Sequence, residues 1–174
     1  MSLRAAASCR VVVTLLAGLA LASPRAARAQ RQLFDRFTDV GVHVIGVPDE
    51  ARQLGVDSID LRRHLEARLR GVGIGVRSGA ELAAFQDTPR LVIVVSALTV
   101  DSAYFFSVTA ELLERVALKR TGGEMYGYNW TRQAIGAATL ERAMTATWGA
   151  VDQLTSHFLE ARRRAMALAQ APSQ

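Results

Sequence analysis

Apolar residues recur along this chain at several different spacings, and each spacing predicts a different element. Val42 to Val47 (VHVIGV) is β-branched and apolar and is stopped by Pro48-Asp49-Glu50, which predicts a first strand ending in a turn. From Leu61 the period changes to four. Leu61, Leu65 and Leu69 form one stripe, while Arg62, Arg63, Glu66, Arg68 and Arg70 fill the other side. That is an amphipathic helix, with Asp57 or Ser58 as its N-cap and Gly71 at the C-cap. Ile74-Gly75-Val76 predicts a short second strand, and Ala80 to Phe85 one or two helical turns.

The stretch from Arg90 to Gly136 carries the strongest strand signal. Pro89 suits a strand start, and Leu91 to Val100 (LVIVVSALTV) is apolar on both faces, as a central strand requires. After a turn at Asp101-Ser102, residues Ala103 to Lys119 alternate. Tyr104, Phe106, Val108, Ala110 and Leu112 share one parity, and Ser107, Thr109, Glu111 and Arg115 share the other, which faces solvent or a partner. Thr121-Gly122-Gly123 reads as a three-residue hairpin loop. It predicts the pairs Arg120 with Glu124, Leu118 with Tyr126, Val116 with Tyr128 and Glu114 with Trp130. From about Ala138 to Arg164, apolar positions at Leu140, Met144, Thr147, Val151, Leu154, Phe158, Ala161 and Ala165 lie on one helix face. Together these predict an α+β two-layer sandwich in the order β-α-β-β-β-β-α. A mixed sheet of four to five strands carries two main helices on one face. The strand at Ile74 lies parallel to the first, and the last three form an antiparallel meander.

The amino-terminal residues change the compositional picture. Arg4 and Arg10 precede an apolar run, Val11 to Ala22, and Ala27-Arg28-Ala29 is a small-x-small cleavage site before Gln30, so residues 1–29 read as a secretory signal peptide. The apolar run is shorter than the roughly 20 residues that span a bilayer. Residues 30–164 are then one domain and 165–174 a disordered tail. Removing the signal takes four of the 21 basic residues and no acid, so the net charge of +5 falls to about +1 and a nucleic-acid partner loses its support. The only cysteine, Cys9, also leaves with the signal. Disulfides, a thiol nucleophile, thiolate metal ligands and amino-terminal lipidation go with it.

Candidate chemistry is sparse. His43, His64 and His157 show no metal-ligand spacing, no serine sits in a G-x-S-x-G elbow, and Gly71-Val72-Gly73-Ile74-Gly75 follows a helix and lacks the lysine of a phosphate loop. No catalytic residue, metal or cofactor is assigned. Glu114 falls by parity between Leu112 and Val116 on the apolar face, with Arg132 diagonally across the hairpin as its partner. It is either a tuned acid or ligand contact, or a structural ion pair, or it is turned outward by a bulge. Tyr104, Phe105, Phe106, Tyr126, Tyr128 and Trp130 gather aromatic rings on the meander, either as core or as the lining of a pocket or partner surface.

Pro89-Arg90-Leu91-Val92-Ile93-Val94, the run Glu111 to Arg120 (ELLERVALKR), Val151-Asp152-Gln153-Leu154 and Phe158-Leu159 carry a resemblance. Over Val42 to Leu159 the chain resembles uncharacterised exported bacterial envelope proteins. Its layout is similar to the small βαβββα domains of the TolB amino-terminal domain and of transport-auxiliary lipoproteins. The resemblance implies a non-catalytic periplasmic binding or assembly module whose partner is another cell-envelope protein, through strand addition or as a homo-oligomer. The absent lipidation cysteine departs from the lipoproteins, and no site residues carry over. Glu114, Arg132, Trp130, Tyr128, Tyr126 and Tyr104 are the candidate ligand- or partner-binding residues. A carrier of a small apolar ligand between the aromatic seam and the last helix is the alternative, and a hydrolase the third reading.

Overall fold

The computed structural model describes Phe34 and residues 37–169, so the signal segment and the last five residues lie outside the described residues. Five strands form one sheet: β1 (Asp39–Ile45), β2 (Gly75–Arg77), β3 (Arg90–Val100), β4 (Ala103–Ala117) and β5 (Glu124–Thr139). Their order is β2-β1-β3-β4-β5, with β1 parallel to both β2 and β3 and the last three antiparallel. This is the expected α+β sandwich with a mixed sheet. The β1 strand starts before Val42 because its first residue, Asp39, already pairs with Gly75, and it ends before Gly46, whose φ is 75°.

Where a turn was expected after Pro48, a short helix α1 (Asp49–Gln53) forms, with Asp49 and Glu50 in its first turn and Ala51 buried. Proline presets the helix entry, and acids favour the positive end of the helix dipole. Helix α2 (Ser58–Gly71) is capped by Asp57, whose carboxylate accepts from the Ile59 and Asp60 amides at 2.7 and 3.0 Å. Leu61, Leu65 and Leu69 are fully buried. The C-cap is Val72 and not Gly71. Gly73, at φ 78°, supplies the left-handed residue, its amide reaching the Arg70 carbonyl and that of Ile74 the Leu69 carbonyl, each at 3.0 Å. This double bond pattern satisfies the last carbonyls and brings buried Ile74 against buried Leu69.

Helix α3 (Gly79–Ala84) begins where the Ser78 amide donates to the Glu81 carboxylate at 2.7 Å. Its one buried residue, Leu82, lies over Gly41, on the sheet face opposite to Val40 and Val42. The last helix, α4 (Ala143–Ala169), follows a 3-10 turn at Leu140–Arg142. It starts later than Ala138 because β5 keeps pairing with β4 up to Ala103 opposite Thr139. Ala143 therefore takes the inward position expected of Met144, which is exposed, and Thr147, Val151, Leu154 and Phe158 continue the buried stripe.

The hairpin register differs from the predicted one. Ala117 pairs with Glu124, Val116 with Met125 and Arg115 with Tyr126, and beyond a shift at Leu112/Leu113, Leu112 pairs with Trp130. Two causes are local. The loop runs from Leu118 to Gly123, closed by Leu118 amide to Gly123 carbonyl at 2.7 Å and Gly122 amide to Leu118 carbonyl at 2.9 Å. In addition Asn129 is an extra residue in β5, since Leu113 faces Tyr128 while Leu112 faces Trp130. A single-residue bulge exchanges the faces of everything beyond it. Trp130 thus points into the core with Leu112, while Tyr128 and Tyr126 turn to the other face with Leu113 and Arg115.

The core lies between the sheet and helices α2 and α4. Trp130 meets Phe158 edge-on at 5.5 Å, Phe34 and Phe37 close on the same Phe158 ring at 5.7 and 6.5 Å, and Tyr104 stacks on Phe106 at 5.7 Å. These rings fill the seam between the meander and the last helix.

Candidate functional site

The sheet face turned away from α2 and α4 is left open beyond α3, which closes the end near Gly41. Cross-strand pairing sorts it into rows. Val100, Ala103 and Thr139 form the first, Leu98, Phe105 and Ala137 the second, and Ser96, Ser107 and Ile135 the third. Ile45, Val94, Thr109 and Gln133 form the fourth. None of these residues carries a charge. Leu98 is 61% exposed, Phe105 46% and Ile135 45%, each within a paired strand near the β3–β4 turn. Gln133 donates to the Ser107 hydroxyl at 2.8 Å, so even the polar members are partly satisfied within the face. Burying such a surface costs no unpaired charge, whereas leaving it in water forgoes apolar burial.

The other end of the same face is charged and internally paired. Arg77 bonds Asp39 at 2.8 Å and lies over the Phe85 ring at 4.0 Å. Arg115 pairs with Asp87 at 3.5 Å and with Glu124. Arg90 lies over the Tyr126 ring at 4.6 Å. Burial, reinforced by the nearby Arg90, holds the His43 imidazole below its ordinary value and therefore neutral. An open depression of about 320 Å³ beside this end is lined by Phe37, Asp39, Phe85, Asp87 and Thr88, among others. Among the described residues no group of three histidine or acidic side chains is placed to hold a metal.

The candidate residues from the sequence do not converge on one seam. Tyr104 is fully buried, its hydroxyl 3.1 Å from that of Thr147, and burial raises its pKa. Trp130 is core. Tyr126 donates to the Gln86 carbonyl at 3.4 Å, and Tyr128 stands 66% exposed on the open face. Glu114 is half-buried and accepts from the Asn129 side chain at 2.6 Å, so the bulge residue itself holds it. Arg132 does not lie diagonally across from it. The register puts Arg132 opposite Ala110, exposed, with its guanidinium donating to the Thr131 carbonyl at 3.1 Å.

One cluster of catalytic residue types was not visible in the sequence. His64 on α2 meets Asp152 on α4 at 2.7 Å, Arg68 donates to the same carboxylate at 2.8 Å, and Ser156 lies 3.2 Å from Arg68. In a nucleophilic triad the histidine must bridge serine and carboxylate. Here Ser156 donates to the Asp152 carbonyl at 2.9 Å and sits on the arginine side, while the His64 ring abuts Trp148. The cluster is a clamp between two helices.

No family model matches the sequence, and no curated protein matches it. Among solved structures, a dodecameric PelC variant from Paraburkholderia phytofirmans aligns over 66% of this chain and 82% of its own, at 17% identity and a TM-score of 0.38. A minor lipoprotein from Acinetobacter baumannii aligns over 75% of this chain and 94% of its own, at 11% identity and a TM-score of 0.35. At these scores the likeness is one of partial layout, and it assigns this chain no partner and no activity.

Proposed function

We propose that this is an exported cell-envelope module that works by contact, and that the open sheet face is its contact surface for protein. The observation that carries the reading is the uncharged end of that face, where Leu98, Phe105 and Ile135 stand exposed side by side on three paired strands. Contiguous exposed apolar surface on a folded domain marks interaction sites. Export rests on the signal pattern in residues 1–29. The ligand-carrier alternative has less to stand on, because the seam under α4 is filled by Trp130, Phe158, Phe34 and Phe37.

Photo-crosslinking in envelope extracts tests the proposal. A crosslinker placed at Phe105 captures protein, and one placed at Arg163, exposed on α4, does not. Equal capture from both positions, or none from Phe105, refutes it.

A further inference from the structure

We propose that the uncharged end of the open face is a two-fold interface with a second copy of this chain, the large side chains of each copy seating over the small ones of the other. The inference rests on the open face being a contact surface, and it names the occupant.

The row Leu98, Phe105, Ala137 and the neighbouring row Ser96, Ser107, Ile135 are complementary strand by strand: wherever one is large, the other is small. The two rows lie about 7 Å apart along the strands. Consider a two-fold axis lying in the interface, running across the strands midway between the rows. It reverses position along each strand and preserves the strand itself. Leu98 then sits over the partner's Ser96, Phe105 over the partner's Ser107, and Ile135 over the partner's Ala137, each contact being made twice. Sheets that stack face to face lie about 10 Å apart, a gap that one large and one small side chain fill together. Two large residues in register would hold the sheets apart, and two small ones would leave a void.

The absence of charge agrees with this occupant, and size sets its strength. A surface without charged residues meets its own copy without burying an unpaired ion. The four rows on three strands span about 24 Å by about 14 Å. That is roughly 340 Å² per partner, under half the roughly 800 Å² of a standard dimer, and it suits a weak, micromolar association.

Sedimentation equilibrium at about 100 μM tests the proposal, a protein-association affinity in the micromolar range being sufficient for detection there. The wild type is expected at twice the chain mass. Ser107→Phe places large over large and halves the mass. Leu98→Glu, which leaves Ser107 and its bond to Gln133 in place, does the same. Combining Phe105→Ser with Ser107→Phe exchanges the large and small positions, restores complementarity and returns the doubled mass. Circular dichroism identifies any variant that has lost its fold. A monomeric wild type overturns the inference. So does a dimer indifferent to Ser107→Phe, which would point to pairing along the β5 edge, or a double variant no better than the single one. If the wild type is monomeric and crosslinkers at Phe105 still capture an envelope protein, only the second-copy inference falls; if they capture nothing, both fall.

Discussion

Tyr104 and Thr147 form a polar contact buried between the meander and the last helix, and its energetics can be worked from the geometry. Both residues are fully buried, their oxygens are 3.1 Å apart, and the Thr147 hydroxyl also donates to the Ala143 carbonyl at 2.9 Å. With the threonine proton committed to that carbonyl, the tyrosine must donate to threonine. Tyr104→Phe removes the donor and leaves Thr147 still bonded, a loss of about 1 kcal/mol. Thr147→Val strands the tyrosine hydroxyl in the core with no acceptor, and costs about 2 kcal/mol. In the double variant no unpaired hydroxyl is left, and the Ala143 carbonyl keeps its place in the helix ladder. The double variant should therefore be more stable than Thr147→Val alone. Urea titrations at constant slope give the four stabilities of the cycle. If the two single losses add to within about 0.5 kcal/mol, the pair is not coupled and the donor assignment is wrong.

Two further outcomes follow from the side chains. At Asp152, burial pushes the carboxyl up, but hydrogen bonds from His64 and Arg68 outweigh it and hold the folded-state value below the ordinary one. Stability from a depressed aspartate is present above about pH 4 and is lost as pH falls through the folded value. The stability gap between wild type and Asp152→Asn, at most about 1 kcal/mol for a site this exposed, should be present at neutral pH and close in acid. A variant as stable as wild type at neutral pH in urea would remove the clamp argument. Gly136 and Gly149 should respond to alanine with opposite signs. A Cβ at Gly136 would come within 2.5 Å of the buried Phe106 ring, whereas Gly149, exposed in mid-helix, has nothing within 4 Å. Differential scanning fluorimetry should show Gly136→Ala lowering stability by about 1–3 kcal/mol and Gly149→Ala raising it by about 0.5–1 kcal/mol.

What could be read in the sequence was whatever depends on neighbours a few residues apart. The stripe Leu61, Leu65, Leu69, the Asp57 cap and the alternation through β4 each follow from local sterics and burial, and each stands in the fold. The His64 and Asp152 contact joins residues 88 apart, and Phe34 and Phe37 belong to no periodic run, so neither had a local signal. The hairpin failed for a different reason. A register is a count, and one uncounted residue, Asn129, moves Tyr126 and Tyr128 to the opposite face while leaving the composition of the strand unchanged. The open face shows the same ambiguity at a larger scale. Leu98 falls in a run that reads as apolar on both faces, because an apolar residue looks alike under a helix and at an interface. What separates the two is the company on the same face. In β3 the buried parity runs Leu91, Ile93, Val95, with no polar break, while the opposite parity runs Val94, Ser96, Leu98, with Ser107 and Phe105 beside the last two on β4. A core layer seldom spends two adjacent positions on serine, since each buried hydroxyl needs a partner. A face that must stay soluble alone and still pack against a matching surface has reason to alternate small polar with large apolar residues, and that alternation is the feature the proposed interface uses.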